Sequence, residues 1–209
     1  FVRACCEDNL GNIWIGTFNG LNRYNKSTGL FQNHTANDIQ TDGLTHSSIW
    51  CIVKDNQGTL WLGTYFGGVN YFNPEYEIYT RYSYSSNEKK GLSNPVVGRT
   101  IEDKNGNLWI GTEGGGLNYY NRRTREFKWY RPQEGRNSIS HNNVKALYYD
   151  ADKEIIWIGT HLGGLNKLDI RSGHFTHYRM EGNNPQSLPS DIIRDITPYK
   201  DLLIIATQN

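Results

Sequence analysis

A four-residue phrase returns four times at an almost constant interval: Trp14-Ile15-Gly16-Thr17, Trp61-Leu62-Gly63-Thr64, Trp109-Ile110-Gly111-Thr112 and Trp157-Ile158-Gly159-Thr160. The tryptophans stand 47, 48 and 48 residues apart, and a degraded fifth copy, Ile204-Ile205-Ala206-Thr207, follows after another 47. A period of ~40–50 residues with Trp and Gly punctuation restricts the chain to an array of like supersecondary units. No such unit can bury its apolar surface alone, so each must be stacked against its neighbours.

The flanks of the phrase repeat as well. Upstream stands Asp-x-x-Gly-x-[Ile/Leu]-Trp, with Asp8/Gly11, Asp55/Gly58 and Asp103/Gly106; the fourth copy runs from Asp150 to Trp157 with one extra residue and no Gly. Downstream stands Gly-Gly-[Leu/Val]-Asn at 67–70, 115–118 and 163–166, shortened to Asn19-Gly20-Leu21-Asn22 in the first copy. Aromatic pairs close the units (Tyr76/Tyr79, Phe127/Tyr130, Phe175/Tyr178), and a [Leu/Ile]-x-x-x-x-[Ile/Val] phrase opens the next, as in Leu44/Ile49 and Leu92/Val97.

Each unit therefore holds four short apolar runs separated by turn residues. In the second unit these predict strand a at 49–53, strand b at 60–64, strand c at 69–72 and strand d at 78–82. Short runs rich in β-branched and aromatic residues read as strands. The Asp-x-x-Gly segment reads as a tight turn in which Asp caps its own backbone and Gly supplies a positive φ. Strand b is apolar on both faces, as a sheet sandwiched between two others requires, and its Gly admits the neighbouring sheet. Four strands per period is the blade of a β-propeller. The expected fold is all-β: one domain of four four-stranded antiparallel blades (1–43, 44–91, 92–138, 139–187) and a partial fifth (188–209). All four tryptophans of the phrase are expected to be buried.

Composition narrows the function classes. The formal net charge is +1, which draws the chain toward neither nucleic acid nor a charged membrane surface. Mean hydropathy is −0.69, and no apolar run approaches the ~18 residues of a spanning helix. A chain that starts at Phe1 rather than Met reads as an excised piece. The three cysteines, Cys5, Cys6 and Cys51, form no C-x-x-C pair and are expected to be small buried apolar residues. His174 and His177 stand three apart on a strand and so face opposite ways, which excludes a shared metal. No metal or cofactor is expected.

The phrase Asp-x-x-Gly-x-Leu-Trp-Ile-Gly-Thr followed by Gly-Gly-Leu-Asn resembles the two-component regulator propeller repeat. The resemblance runs through four copies and into the fifth. It implies the periplasmic sensor part of a Bacteroides-type hybrid two-component system, with a histidine kinase elsewhere in the protein and an oligosaccharide as the sensed ligand. It also implies a larger ring of about seven blades, so that this chain is a fragment whose terminal blades are exposed and seek partners, including a second copy of itself.

A ligand site is expected in what varies between copies on a shared face. Antiparallel strands put the b–c turns and the long d–a connections (83–93, 131–140, 179–189) at one end of the ring. The b–c turns there carry Phe18-Asn19, Tyr65-Phe66, Glu113-Gly114 and His161-Leu162. The positions leading into strand a are His46, Asn94, His141 and Ser190, and one step past the repeated Ile/Val come Arg3, Trp50, Gly98, Lys145 and Arg194, with Arg99 beside Gly98. From this set the candidate ligand residues are Trp50, Tyr65, Phe66, Asn94, Arg99, Glu113, His141, Lys145, His161 and Arg194. Aromatic faces suit sugar stacking, amide, imidazole and carboxylate groups suit hydroxyls, and the cations suit an acidic sugar. A glycosidase or lyase is the weaker reading. Hydrolysis needs two facing carboxylates, and beside Glu113 only Asp38 and Glu134 lie in nearby loops, in no fixed pair. A non-catalytic scaffold for protein partners is the other alternative.

Overall fold

The structure, a computed structural model, describes residues 1–36, 43–74 and 78–208; Asp38 and Tyr76 lie outside the described residues. Blade 1 consists of β1 (Val2–Glu7), β2 (Ile13–Thr17), β3 (Gly20–Tyr24) and β4 (Phe31–His34). Blade 2 consists of β5 (Ile49–Lys54), β6 (Leu60–Thr64), β7 (Val69–Asn73) and β8 (Ile78–Tyr82). Blade 3 holds β9 (Val97–Glu102), β10 (Leu108–Thr112), β11 (Leu117–Asn121) and β12 (Glu126–Tyr130). Blade 4 holds β13 (Val144–Asp150), β14 (Ile155–Thr160), β15 (Leu165–Asp169) and β16 (Phe175–Tyr178), and a hairpin of β17 (Ile193–Tyr199) and β18 (Leu202–Thr207) follows. Each blade is an antiparallel meander in sequence order, and the helical content among the described residues is one short 3-10 turn, Glu88–Lys90.

The core lies between blades, not within them. Trp14 and Leu21 of blade 1 pack with Ile49, Leu60, Leu62 and Phe72 of blade 2, and Trp61 and Val69 pack with Val97, Leu108, Ile110 and Tyr120 of blade 3. The same layer repeats between blades 3 and 4 around Trp109, and between blade 4 and the hairpin around Ile193. A buried indole removes ~150–250 Å² from water, an upper bound of roughly 4–6 kcal/mol at ~25 cal/mol per Å². The glycine of strand b is what lets these layers close. A Cβ on Gly111 would stand 2.5 Å from Cγ1 and 2.9 Å from Cβ of Val144 in the next blade.

The Asp-x-x-Gly turn does more than turn. Asp55 accepts the amides of Gln57 and Thr59 through one oxygen, and its other oxygen accepts the indole N–H of Trp61 at 2.8 Å. Asp8 does the same with Trp14 at 2.7 Å, and Asp103 with Trp109 at 3.2 Å. Each turn thus anchors the tryptophan that fills the next inter-blade layer. Gly58 sits in this turn at φ 83°, a conformation that favours glycine. The repeated Asn of strand c is also a fastener: fully buried Asn70, Asn118 and Asn166 accept the backbone N–H of Thr45, Ser93 and Ser140, tying down the segment that leads into strand a.

Two expectations fail. Trp157 is half-buried while the other three tryptophans are buried. In the complete layers each indole meets a strand-c residue of the next blade, as Trp14 meets Phe72 (5.0 Å between ring centres) and Trp61 meets Tyr120 (6.0 Å). The hairpin after blade 4 offers β17 and β18 only, so Trp157 instead borders a groove of about 450 Å³. Of the cysteines only Cys51 is buried; Cys5 is exposed and Cys6 half-buried, because β1 covers another blade with one face alone. The outer side of β18 is likewise open, with Leu202 and Ile204 exposed and Leu203 and Ile205 turned toward blade 4.

Candidate functional site

Every strand a carries the same irregularity. The pairing with strand b skips one residue between Val2 and Ala4, Ile49 and Cys51, Val97 and Arg99, Val144 and Ala146, and Ile193 and Asp195. The skipped residues are Arg3, Trp50, Gly98, Lys145 and Arg194. A β-bulge releases one residue from the ladder and re-aims its side chain. All five bulge residues line one central cavity of about 290 Å³, together with Arg99 and Glu113.

The chemistry of this cavity is cationic. Arg3, Arg99, Lys145 and Arg194 face one lining carboxylate, Glu113. Lys145 Nζ is ion-paired with Glu113, Arg99 lies 3.7 Å from Asp195, and Arg194 reaches the Gln208 side chain. Arg3 has no carboxylate partner among the described residues. Its guanidinium is instead clasped between two rings, 3.6 Å from the centre of Phe18 and 3.6 Å from that of Trp50. Desolvation lowers the Arg3 pKa from its ordinary value, with the charges of Glu113 and Tyr65 acting in the opposite sense. Arg3 Nη1 and Trp50 Nε1 are both buried donors without an acceptor among the described residues.

An aromatic shelf continues from the cavity outward. Trp50 and Tyr65 are stacked at 5.7 Å with 22° between planes, Tyr65 meets Phe66 edge-on at 4.3 Å, and His46 closes on Phe66 at 6.2 Å. Phe66 is 57% exposed, Phe18 50% and Tyr65 37%, so the shelf is open to a large planar or ring-shaped ligand.

The ten sequence candidates therefore divide. Trp50, Arg99, Glu113, Lys145 and Arg194 share the cavity, and Tyr65 and Phe66 extend it through stacking. Asn94 and His141 serve the backbone: Asn94 Oδ1 accepts the N–H of Val96 at 2.8 Å, and His141 Nδ1 accepts that of Asn143 at 3.0 Å. His46 and Ser190 do the same for Ser48 and Ile192. This repeated cap leads the chain into each strand a. His161 stands 6.4 Å from His141, ring centre to ring centre, outside the cavity lining. Burial, then the charges of His161 and Arg179, lower the His141 pKa, so this ring is neutral near pH 7 with its proton on Nε2. Arg3 and Phe18 stand outside the ten yet hold the centre of the site. The signal for Arg3 is its alignment with Trp50 one step past the repeated Ile/Val; nothing in the sequence marks Phe18 as its clasp.

Comparison with known proteins places these features. The family profile described as two-component regulator propeller matches residues 1–19, 43–66, 91–114 and 138–161, one stretch in each complete blade. No curated protein matches the chain. Among solved structures, the extracellular domain of a putative hybrid two-component system from B. thetaiotaomicron is 24% identical over 99% of this chain, with a TM-score of 0.78. A second such domain from the same organism is 21% identical over 99% of the chain, with a TM-score of 0.83. The chain spans 26% and 27% of the two structures' lengths, about a quarter of each. Virginiamycin B lyase from Staphylococcus aureus has the same fold at 13% identity, with a TM-score of 0.71, over 99% of this chain and 63% of its own. The matches fall on the Asp–Trp turn, the strand-b glycine and the segment leading into strand a, the devices that build each blade, so the chain carries four stretches that match the two-component regulator propeller repeat.

Proposed function

We propose that this chain is a non-catalytic, extracytoplasmic ligand-sensing module of a two-component system, and that it recognises an oligosaccharide at the end of the propeller bearing the b–c turns. The observation that carries the reading is the stacked Trp50–Tyr65 shelf, continued by exposed Phe66 beside a polar, charged cavity. A pyranose offers an apolar face to an aromatic ring and hydroxyls to the groups around it, and this shelf presents both complements side by side. The repeat matches and the two B. thetaiotaomicron extracellular domains of the same fold support an extracytoplasmic setting in a two-component system; in this proposal a bound saccharide is signalled to a histidine kinase.

Catalysis finds little support at this face. Glu113, the lining carboxylate, is neutralised by Lys145, and among the described residues no second carboxylate lines the cavity across from it. Calorimetric titration with a panel of oligosaccharides is expected to give saturable heat without product formation, and Trp50→Ala is expected to weaken binding roughly two- to tenfold, the worth of one stacking contact. Cleavage of any glycan, or binding indifferent to Trp50 and Tyr65, overturns the reading. A second reading, a face for protein partners or for another copy of the chain, is favoured by exposed Leu202 and Ile204 on β18. Concentration-dependent light scattering that Ile204→Lys abolishes is its test.

A further inference from the structure

The central cavity holds donors and cations in excess of anything the protein offers them. Four cations and one carboxylate line it, and that carboxylate is already taken by Lys145. Arg3 Nη1 and Trp50 Nε1 are buried donors that find no acceptor among the described residues. Neither can act as an acceptor, since an indole N–H and a guanidinium carry donors only. Buried donors are nearly always paired, and those that are not point to an absent partner. The complement of two idle donors and surplus positive charge is an oxyanion.

The local construction favours a preorganised seat over a loose cationic surface. Arg3 is fixed between Phe18 and Trp50 at 3.6 Å from each ring centre, so its side chain is already ordered. Lys145 and Arg194 arrive from bulges, where no ladder bond constrains the side chain. Gly98, the bulge residue of blade 3, brings no side chain and leaves the room that the other four positions surround. Glu113 pairs with Lys145 and so occupies the position an incoming anion would take.

We infer that the bulge residues of the propeller form an oxyanion seat, in which Arg3, Lys145 and the Trp50 N–H take a carboxylate or sulfate group and Glu113 is the internal anion that the ligand displaces from Lys145. This deepens the sensing reading and rests on it only for the sugar that carries the acidic group. An acidic sugar would lay its ring on Trp50 and Tyr65 and put its charge into the cavity.

The test uses the 209-residue chain. Indole and arginine side-chain N–H signals are followed by NMR during titration with sodium sulfate, glucuronate, glucose and, at matched ionic strength, sodium chloride. The expected result is a saturable shift of the Trp50 indole and Arg3 signals with sulfate or glucuronate, and none with glucose or chloride. Glucuronate binding more tightly than sulfate identifies a sugar-borne acid, and the reverse order identifies a free inorganic oxyanion. Arg3→Gln is expected to weaken binding roughly ten- to hundredfold, the range for a charge-assisted hydrogen bond. Glu113→Gln is expected to tighten it roughly three- to tenfold by removing the competing charge. Unchanged melting curves separate these effects from loss of fold. The absence of a saturable shift in both the native chain and the Glu113→Gln variant overturns the inference, as does binding unaffected by Arg3→Gln. Neutral oligosaccharides that bind the shelf while the anions do not would leave the sensing reading standing and remove the seat. Anion binding without any oligosaccharide binding would do the opposite.

Discussion

Asp55→Asn isolates what the aspartate turns contribute. The substitution preserves size and keeps the oxygen that caps the Gln57 and Thr59 amides, but turns the other oxygen into an N–H donor. That atom now faces the Trp61 indole N–H and the guanidinium of Arg122, which is ion-paired with the native carboxylate. Asp8→Asn is the matched control, since its second oxygen takes Trp14 and the side-chain amide of Asn12. Asn12 can rotate its amide and offer an oxygen, whereas a guanidinium has no acceptor to offer. The control leaves one orphaned indole donor and should cost about 1–3 kcal/mol. Asp55 is fully buried at its side chain and Arg122 is 22% exposed, so Asp55→Asn adds a broken, mostly desolvated pair and should cost about 3–5 kcal/mol, toward the lower end for the exposure. At ~2–4 °C per kcal/mol for a domain near 200 residues, the expected drops in Tm are about 2–12 °C for the control and about 6–20 °C for Asp55→Asn. Arg122→Met in the Asp55→Asn background removes a cation left with Glu102 alone, 3.6 Å away, and should recover part of the loss. Thermal unfolding by circular dichroism reads all three. Equal losses at Asp8 and Asp55, or no recovery with Arg122→Met, would falsify the argument.

Gly111→Ala should lower Tm by a few degrees, since overpacking costs about 1–3 kcal/mol, and the added Val144→Ala should suppress that loss in a double-mutant cycle. Acid should act through Asp8: burial raises its pKa, but hydrogen bonds from Asn12, Trp14 and the Leu10 amide outweigh that and hold it below the ordinary 3.8. Its contribution is thus present above pH 3.8 and lost as pH falls through the folded value, and Asp8→Asn should flatten the pH–stability curve there. His141 should titrate by NMR below 6.5, and stability should fall as pH drops from 6.5 toward that midpoint, because the unfolded chain takes up the proton first. Acrylamide should quench Trp157 more readily than Trp14, Trp61 or Trp109.

The blade was legible because its period is written in residues that serve every copy alike. Trp, Gly and Asp recur at fixed offsets, and each offset corresponds to a contact: Asp to indole six residues on, strand-b Gly to the next blade's strand a. The Asp–Trp bond itself was readable in principle, since the offset of six is constant in three copies and becomes seven in the fourth, where Asp150 bonds Lys153 instead. The end of the ring that gathers the candidates followed from strand alternation alone. Partnering did not. Asn94 and His141 look like free polar groups in sequence but are occupied by backbone amides two residues on. The clasp of Arg3 by Phe18 and Trp50 joins positions 15 and 47 residues apart in the chain: the β1–β2 pairing brings Phe18, and the packing of blade 2 on blade 1 brings Trp50. Trp157 misled because burial there is a property of the following blade, not of its own strand.

The bulge in strand a separates two tasks that most folds force on the same residues. Residues on either side of it make the ladder and the inter-blade core, whereas the bulge residue makes neither and points at the cavity. The cavity wall is therefore a row of five settings, here Arg, Trp, Gly, Lys and Arg, mounted on a frame that other residues build. A propeller built this way can be given a new cavity lining by rewriting one letter per blade, with the rest of the repeat left as it stands.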